Sequence, residues 1–299
     1  MNLTRLFKPK TIAVVGGGEW CKSIMSAAHQ IGYEGTILPI HPSGKEIAGV
    51  KSLKSLDAFP GFIDAAFVGV NRHATLDIVS KLRTLNAGGA TCFASGFSEA
   101  AAEDAIGANL QEKLIEAAGD MPILGPNCYG FLNAFDKCSI WPDQHGCREI
   151  DRGVAVLTQS SNIAINITMQ NRGLPIGYMI TCGNQAQTSQ ADVALHLLDD
   201  PRVTTIGLHI EGFGNLRNWE KLARKAYQKD IPIIVLKSGK SQQAKSAAIS
   251  HTATITGSDV GAQAFLDRLG IRRAESLPVF LEMLKLNHQF GIVESQKIA

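Results

Sequence analysis

At 299 residues the chain is too long for one average domain and comfortable for two. Hydrophobic residues make up 45% and charged residues 19%, which is the composition of a soluble globular protein. A formal net charge of +2 gives a nucleic-acid partner no electrostatic support, and Lys, Asp, Arg or Gln interrupts every apolar run before it reaches membrane-spanning length. The opening MNLTRLFKPK is basic but lacks the long apolar segment and cleavage site of a signal peptide, so the expected location is the cytoplasm. Cys21, Cys92, Cys128, Cys138, Cys147 and Cys182 contain no CxxC pair, which argues for reduced thiols. Cys138, His145 and Cys147 lack a fourth ligand at regular spacing, so no metal site is expected.

In chain order, residues 11–15, 36–40, 65–70, 89–93 and 122–124 are short β-branched or apolar runs that read as buried parallel strands. Residues 22–32, 73–86 and 100–119 lie between them and have helical composition and spacing. This alternation predicts a doubly wound α/β sheet. Residues 133–152, rich in Asp, Pro, Gly and Cys, show no sustained period and place the domain boundary near Arg152. The expected domains are therefore 1–150 and 151–299. The pattern restarts with strands at 153–157, 176–181, 204–210 and 232–237, and helices at 162–172, 189–198, 216–228 and 258–269. Residues 291–299 resemble the opening of another strand, which fits a frayed tail and a chain cut from a longer one equally well.

The first predicted strand runs into Gly16, Gly17 and Gly18, where backbone N–H groups and a helix dipole could meet a phosphate. A dinucleotide fingerprint would read GxGxxG and place an acid after the second strand. Here Cys21 takes the third glycine position, and His41-Pro42-Ser43-Gly44-Lys45 follows the second strand with no acid before Glu46. A lysine there suits an extra phosphate, as in CoA or NADP, and disfavours NAD.

A second strand-to-helix turn, Thr158-Gln159-Ser160-Ser161-Asn162, offers another helix terminus for an anion, although helix capping alone would explain it. His251 lies in a polar loop, SHTATITGS, whose small hydroxyl residues and glycine leave room for a phosphate. A histidine alone is more often structural, but one set between two helix termini would be a sound station for a covalent phosphoryl group. Glu211 ends a predicted strand, where α/β proteins place site residues, and could fix the tautomer of His251.

The segments LGPNCYGFLN, DDPRVTTIGLHIEG and SHTATITGSD, in this order, resemble the α subunit of succinyl-CoA synthetase. They resemble the ADP-forming acyl-CoA synthetases more closely. FKPKTIAVVG, LPIHPSGKEIAGVK, ASGFSE, LTQSSNIAINI and PIIVLKSGKS extend the likeness over nearly the whole chain. The resemblance implies an N-terminal Rossmann-like CoA-binding domain followed by a flavodoxin-like succinyl-CoA-ligase domain. It assigns CoA contacts to Gly16, Gly18, Ser23, His41, Pro42, Lys45, Val70, Ser95, Gly96 and Phe97, with Asn127 near the thiol end. It assigns phosphate to Gln159, Ser160, Ser161 and Thr252, phosphorylation to His251, and the role of its partner to Glu211.

The implied reaction converts a carboxylic acid, CoA and ATP to acyl-CoA, ADP and phosphate, reversibly. ATP or ADP with Mg²⁺ would come through an ATP-grasp domain or β subunit, for which this chain has no segment, and an oligomer is expected. The pattern departs from the family at Glu19, Trp20 and Cys21, where small residues are usual, and at Ser161, which replaces a glycine. Ile165, in the helix after the second turn, favours a monocarboxylic acid larger than acetate over a dicarboxylate. One competing reading is a CoA-binding regulatory or protein-acetyltransferase-associated module, which would lack the histidine that stands here at His251. The other, an NADP-dependent oxidoreductase, leaves the SHTATITG and GPNC segments without a role.

Overall fold

A computed structural model describes residues 2–101, 106–239 and 258–292. After a single turn of helix, α1 (Thr4–Phe7), the first unit alternates strand and helix. Its elements are β1 (Thr11–Val15), α2 (Glu19–Gln30), β2 (Thr36–Ile40), the small ribbon β3 (Glu46–Ile47) and β4 (Val50–Lys51), β5 (Ala65–Val68), α3 (Arg72–Thr84), β6 (Ala90–Cys92), α4 (Ile106–Ala118) and β7 (Ile123–Leu124). Strands β2, β1, β5, β6 and β7 form a parallel sheet in that order. All four residues of β5 and four of five in β1 are buried, so these strands read as continuous apolar runs.

The second unit contains β10 (Gly153–Thr158), α5 (Ser161–Thr168), β11 (Ile176–Thr181), α6 (Gln190–Leu197), β12 (Val203–Ile210), α7 (Leu216–Gln228), β13 (Ile233–Lys237), α8 (Asp259–Arg268), β14 (Arg272–Ala274) and α9 (Leu277–Phe290). Its helices start where the sequence supplies caps. Ser189 and Asp192 form a reciprocal capping box on α6, Asn215 caps α7, and Ser276 caps α9 with a proline in its first turn.

The stretch expected to be an irregular connection, 133–152, begins inside a hairpin formed by β8 (Phe131–Asn133) and β9 (Cys138–Ile140). It pairs antiparallel to β11 and completes a seven-stranded sheet ordered β14, β13, β12, β10, β11, β8, β9. These residues lie ahead of the expected boundary at 150/151, yet their backbone partners belong to the second sheet. Three-residue strands are too short to show a period, so only tertiary pairing defines them. The sequence reading also passed over β14 and α9; Phe280, Leu281 and Leu284 of α9 are buried in the core.

One hydrophobic cluster spans both units, joining Leu6, Ile12 and Phe67 to Phe131, Tyr178 and Leu208. Polar contacts add to it. Phe7 O accepts from Asn133 Nδ2 at 2.9 Å, and the Gln187 side chain bonds Gly119, Met121 and Ile123. The DDPRV motif builds a further knot. The Asp200 carboxylate accepts from Arg202 Nε (2.9 Å) and Nη2 (2.7 Å) and from the Tyr178 hydroxyl (2.9 Å), and pairs with Lys8 (3.0 Å). Arg202 also grips Asp136 at the hairpin turn and lies over the Phe135 ring.

Candidate active site at the carboxyl edges of both sheets

Within each unit the five parallel strands follow the same order. Counted along the chain, both β2-β1-β5-β6-β7 and β11-β10-β12-β13-β14 read 2-1-3-4-5. In such sheets a crevice opens beyond the carboxyl ends of the two strands where the winding reverses. Here those strands are β1 and β5 in the first unit and β10 and β12 in the second. The carboxyl ends of both sheets contribute to one cavity of about 970 Å³. The first unit supplies Gly69–Arg72 after β5, Phe93, Ala94 and Ser95 after β6, the Asn127–Tyr129 loop and Trp20. The second supplies Gln159–Asn162 after β10, Glu211 after β12, and Ser238 and Gly239 after β13.

The GPNC loop is fixed by the second unit rather than by its own strand. Asn127 adopts φ 58°, a conformation asparagine tolerates, and its N–H donates to Ala94 O at 3.0 Å. Asn184 N and Ala186 N donate to Pro126 O (3.0 Å) and Gly125 O (2.9 Å), while Thr181 Oγ1 accepts from Tyr129 N and Gly130 N. Gly183 passes so close beneath the loop that a Cβ there would collide with the carbonyls of Pro126 and Asn127. Burial pushes the Cys128 thiol up to about 12, so it stays protonated beside the cavity.

On the second unit, Ser160 caps α5, its hydroxyl accepting from Ile163 N at 3.5 Å. Gln159 has a structural role beside the phosphate contact expected of it. Its Oε1 accepts from the backbone N–H of both Glu211 and Gly212, clasping the end of β10 to the end of β12. That clasp holds Glu211 at the cavity, where its Oε2 is buried without a hydrogen-bond partner among the described residues. Behind Glu211, Lys237 Nζ donates to the carbonyls of Glu211 (3.2 Å) and Ser238 (2.8 Å). Burial and the adjacent Lys237 charge lower the pKa of His209 to about 4, so its neutral ring bonds Ser238 Oγ at 2.6 Å.

At the first glycine turn, Gly16 is a packing residue. Its N–H is spent on Ile40 O, and a Cβ would meet Gly69 O at 2.5 Å. Gly18 is the open position: it precedes α2, and among the described residues no side chain caps that helix and nothing lies within 4 Å of a Cβ placed there. Across the turn Lys45 Nζ donates to Gly17 O at 2.7 Å and makes no ion pair among the described residues. His41 Nδ1 bonds Ser43 Oγ at 2.8 Å and holds the lysine's loop, in which Pro42 is exposed. Ser23 is half-buried one turn into α2.

Val70, Ser95 and Asn127, expected to contact CoA, line the cavity, but Phe97 and Gly96, like Gly16, are engaged elsewhere. The Phe97 side chain is wholly buried in the first unit's core, and Gly96 has its N–H on Glu99 and its carbonyl on Arg72. Ile165 packs against the core cluster of Val154, Ile176 and Leu281 and is not among the described residues that line the cavity, so the specificity argument drawn from it has no support there. His251 and Thr252 lie outside the described residues. Sequence reasoning missed Asn71, Arg72, Tyr129 and Ser238. Asn71 is signalled by its place as the cap of α3, and Ser238 by following a strand directly. Among the described residues no helix is long and apolar enough to cross a membrane.

Comparison with known proteins gives two family matches: a CoA binding domain over residues 10–134 and a succinyl-CoA ligase like flavodoxin domain over residues 151–287. An ADP-forming acetate–CoA ligase of Methanocaldococcus jannaschii is 31% identical over 296 residues, 95% of this chain and 39% of that protein. The α subunit of ADP-forming acetate–CoA ligase II of Pyrococcus furiosus is 29% identical, covering 95% and 62%. A trans-feruloyl-CoA synthase from an unknown prokaryotic organism is 27% identical, covering 95% and 41%. The acetyl-CoA synthetase 1 of Candidatus Korarchaeum cryptofilum, solved with phosphate and ADP, superposes with a TM-score of 0.87 at 26% identity, covering 99% of this chain and 64% of that one. The chain thus spans between about two fifths and two thirds of these relatives. With both domain matches in the order the sheets were found, the chain joins a CoA binding domain to a succinyl-CoA ligase like flavodoxin domain and over both is similar to ADP-forming acyl-CoA ligases.

Proposed function

We propose that this chain is the CoA-binding and phosphohistidine portion of an NDP-forming acyl-CoA synthetase, and that His251 carries the phosphoryl group. The reading places it in the cytoplasm with an ATP-grasp domain or subunit as partner. The observation that carries it is the Glu211 carboxylate oxygen, buried in the cavity that both sheets share without a hydrogen-bond partner among the described residues. Such an oxygen is costly unless a donor reaches it, and an imidazole N–H suits it. The bond would fix the tautomer of His251 and make its other nitrogen the nucleophile.

The rest of the site fits anionic intermediates. The amino terminus of α5, with Ser160 and Ser161, points N–H groups and a favourable dipole into the cavity. Lys45 beside the uncapped start of α2 fits the phosphates of CoA. In the acyl-CoA-consuming direction, phosphate displaces the CoA thiolate from the acyl carbon. The His251 nitrogen then attacks phosphorus and the carboxylate leaves, after which ADP accepts the phosphoryl group. Positioning and charge stabilisation do most of the work in such transfers, with Mg²⁺ arriving on the nucleotide.

The test incubates the chain with its ATP-grasp partner and radiolabelled ATP, then measures acid-labile, base-stable label. Wild type is expected to take up label, His251→Ala none, and Glu211→Gln at a rate lower by about 100-fold. Equal label in wild type and His251→Ala would remove His251 from the chemistry and leave a CoA-binding regulatory module.

A further inference from the structure

Trp20 has no role in the chemistry above, and it stands where the family pattern has a small residue. It projects from the first turn of α2 with 45% of its surface exposed, into the shared cavity. Its ring centroid lies 5.2 Å from Phe93 and 6.1 Å from Tyr129, and those two rings are 5.8 Å apart. The three rings make one wall of the cavity. They are braced from behind: Phe93 packs on buried Phe67 (5.5 Å), and Tyr129 meets buried Trp141 edge to face (5.8 Å, 80°). A wall supported in this way cannot collapse to fill the space before it. The second unit contributes the opposite character to the same cavity, with Ser160, Ser161 and Asn162 at the amino terminus of α5.

We propose that the acid taken by this site has a flat aromatic body, which stacks on Trp20, Phe93 and Tyr129 while its carboxylate faces the start of α5. This rests on the synthetase reading. A two-carbon acid would satisfy the helix terminus and leave the indole in water. An aryl acid would satisfy both, gaining offset or edge-to-face contacts with rings already in place. The arrangement makes Trp20 a specificity-determining residue. Its expected weight is roughly tenfold in affinity for an aryl acid, the scale of one aromatic pair with its buried area.

The measurement compares benzoate, cinnamate, butyrate and acetate as substrates of the complex with its ATP-grasp partner, in wild type, Trp20→Phe and Trp20→Ala. KM for CoA is recorded alongside. Trp141 and Trp219 are buried, so quenching of tryptophan fluorescence in this chain alone reports binding at Trp20 without any turnover. The expected result is aryl acids favoured over acetate by at least tenfold in wild type. Trp20→Ala should lose most of that margin, Trp20→Phe should keep it, and KM for CoA should change less than twofold. Acetate preferred by wild type, or a Trp20→Ala effect on CoA with the order of acids unchanged, would overturn the proposal and give the wall to CoA. If no acid were turned over and no label reached His251, the synthetase reading would fall by itself. Cinnamate quenching that acetate cannot match would then still support the aromatic wall, and its absence would overturn it.

Discussion

Replacing Asp200 by Asn tests whether the knot of charges between the units holds the fold together. The carboxylate receives Arg202 Nε, Arg202 Nη2, the Arg202 backbone N–H, the Tyr178 hydroxyl and Lys8, and its side chain is only 6% exposed. Asparagine keeps one acceptor oxygen but turns an NH₂ group toward donors that need an acceptor. Breaking one member of a buried ion pair costs about 3–5 kcal/mol. Lys8 is 37% exposed and Arg202 28%, so both partially rehydrate, and about 3 kcal/mol is the appropriate figure after discounting for screening. For a chain of this size that corresponds to a fall in Tm of roughly 6 °C.

The same residue sets a pH signature. Burial would raise the Asp200 carboxyl, but the hydrogen bonds from Arg202, Lys8 and Tyr178 outweigh it and hold the group well below the ordinary carboxylate range. The unfolded chain, with an ordinary value of about 3.9, therefore takes up the proton first on acidification. Stability from this group is fully present above that value and is lost as pH falls through the folded one. Urea unfolding of wild type and Asp200→Asn should differ by about 3 kcal/mol at pH 7, and the gap should narrow below about pH 4. A difference under about 1 kcal/mol, or one unchanged between pH 7 and pH 3, would refute the reasoning.

Two further outcomes follow from positions around the cavity. Gly183→Ala should push the Pro126–Asn127 carbonyls out of place, costing about 2 kcal/mol of stability and about 100-fold in turnover, and unaltered kinetics would show that the loop's position does not matter. Lys45→Ala should weaken CoA roughly tenfold in a calorimetric titration while leaving 3′-dephospho-CoA nearly unchanged, and equal losses for both ligands would assign the lysine to another part of the molecule.

The rhythm of strands and helices was legible because strands buried on both faces are written as apolar runs, and residues 11–15 and 36–40 coincide with β1 and β2. Strand-end logic likewise brought Glu211, Ser160 and Ser161 to one cavity. What it could not supply was the use of each atom. Gly16 looked like a phosphate glycine, but the strand alongside takes its N–H. Gln159 read only as a ligand contact, yet its amide oxygen also serves two backbone N–H groups. Phe97 follows a glycine in a motif, although an apolar ring there was already better explained by the core that buries it. The aromatic wall was invisible because its rings come from a helix start, a strand end and a loop, which only the folded chain assembles.

The hairpin of β8 and β9 determines how this molecule could be taken apart. A fragment that stopped anywhere between Ile140 and Gly153 would carry two strands cut off from their sheet. The complementary fragment would expose the flank of β11, whose Tyr178, Met179 and Ile180 face Asn133, Leu132 and Phe131 in the intact protein. An apolar strand edge left open in this way is a template for self-association. Cutting ahead of Phe131 would keep the seven-stranded sheet whole and leave the first unit with its own five strands. The GPNC loop would then hang at a free end, without the contacts from Thr181, Gly183, Asn184 and Ala186 that shape it. Either cut breaks the molecule, the first at a sheet and the second at the site itself.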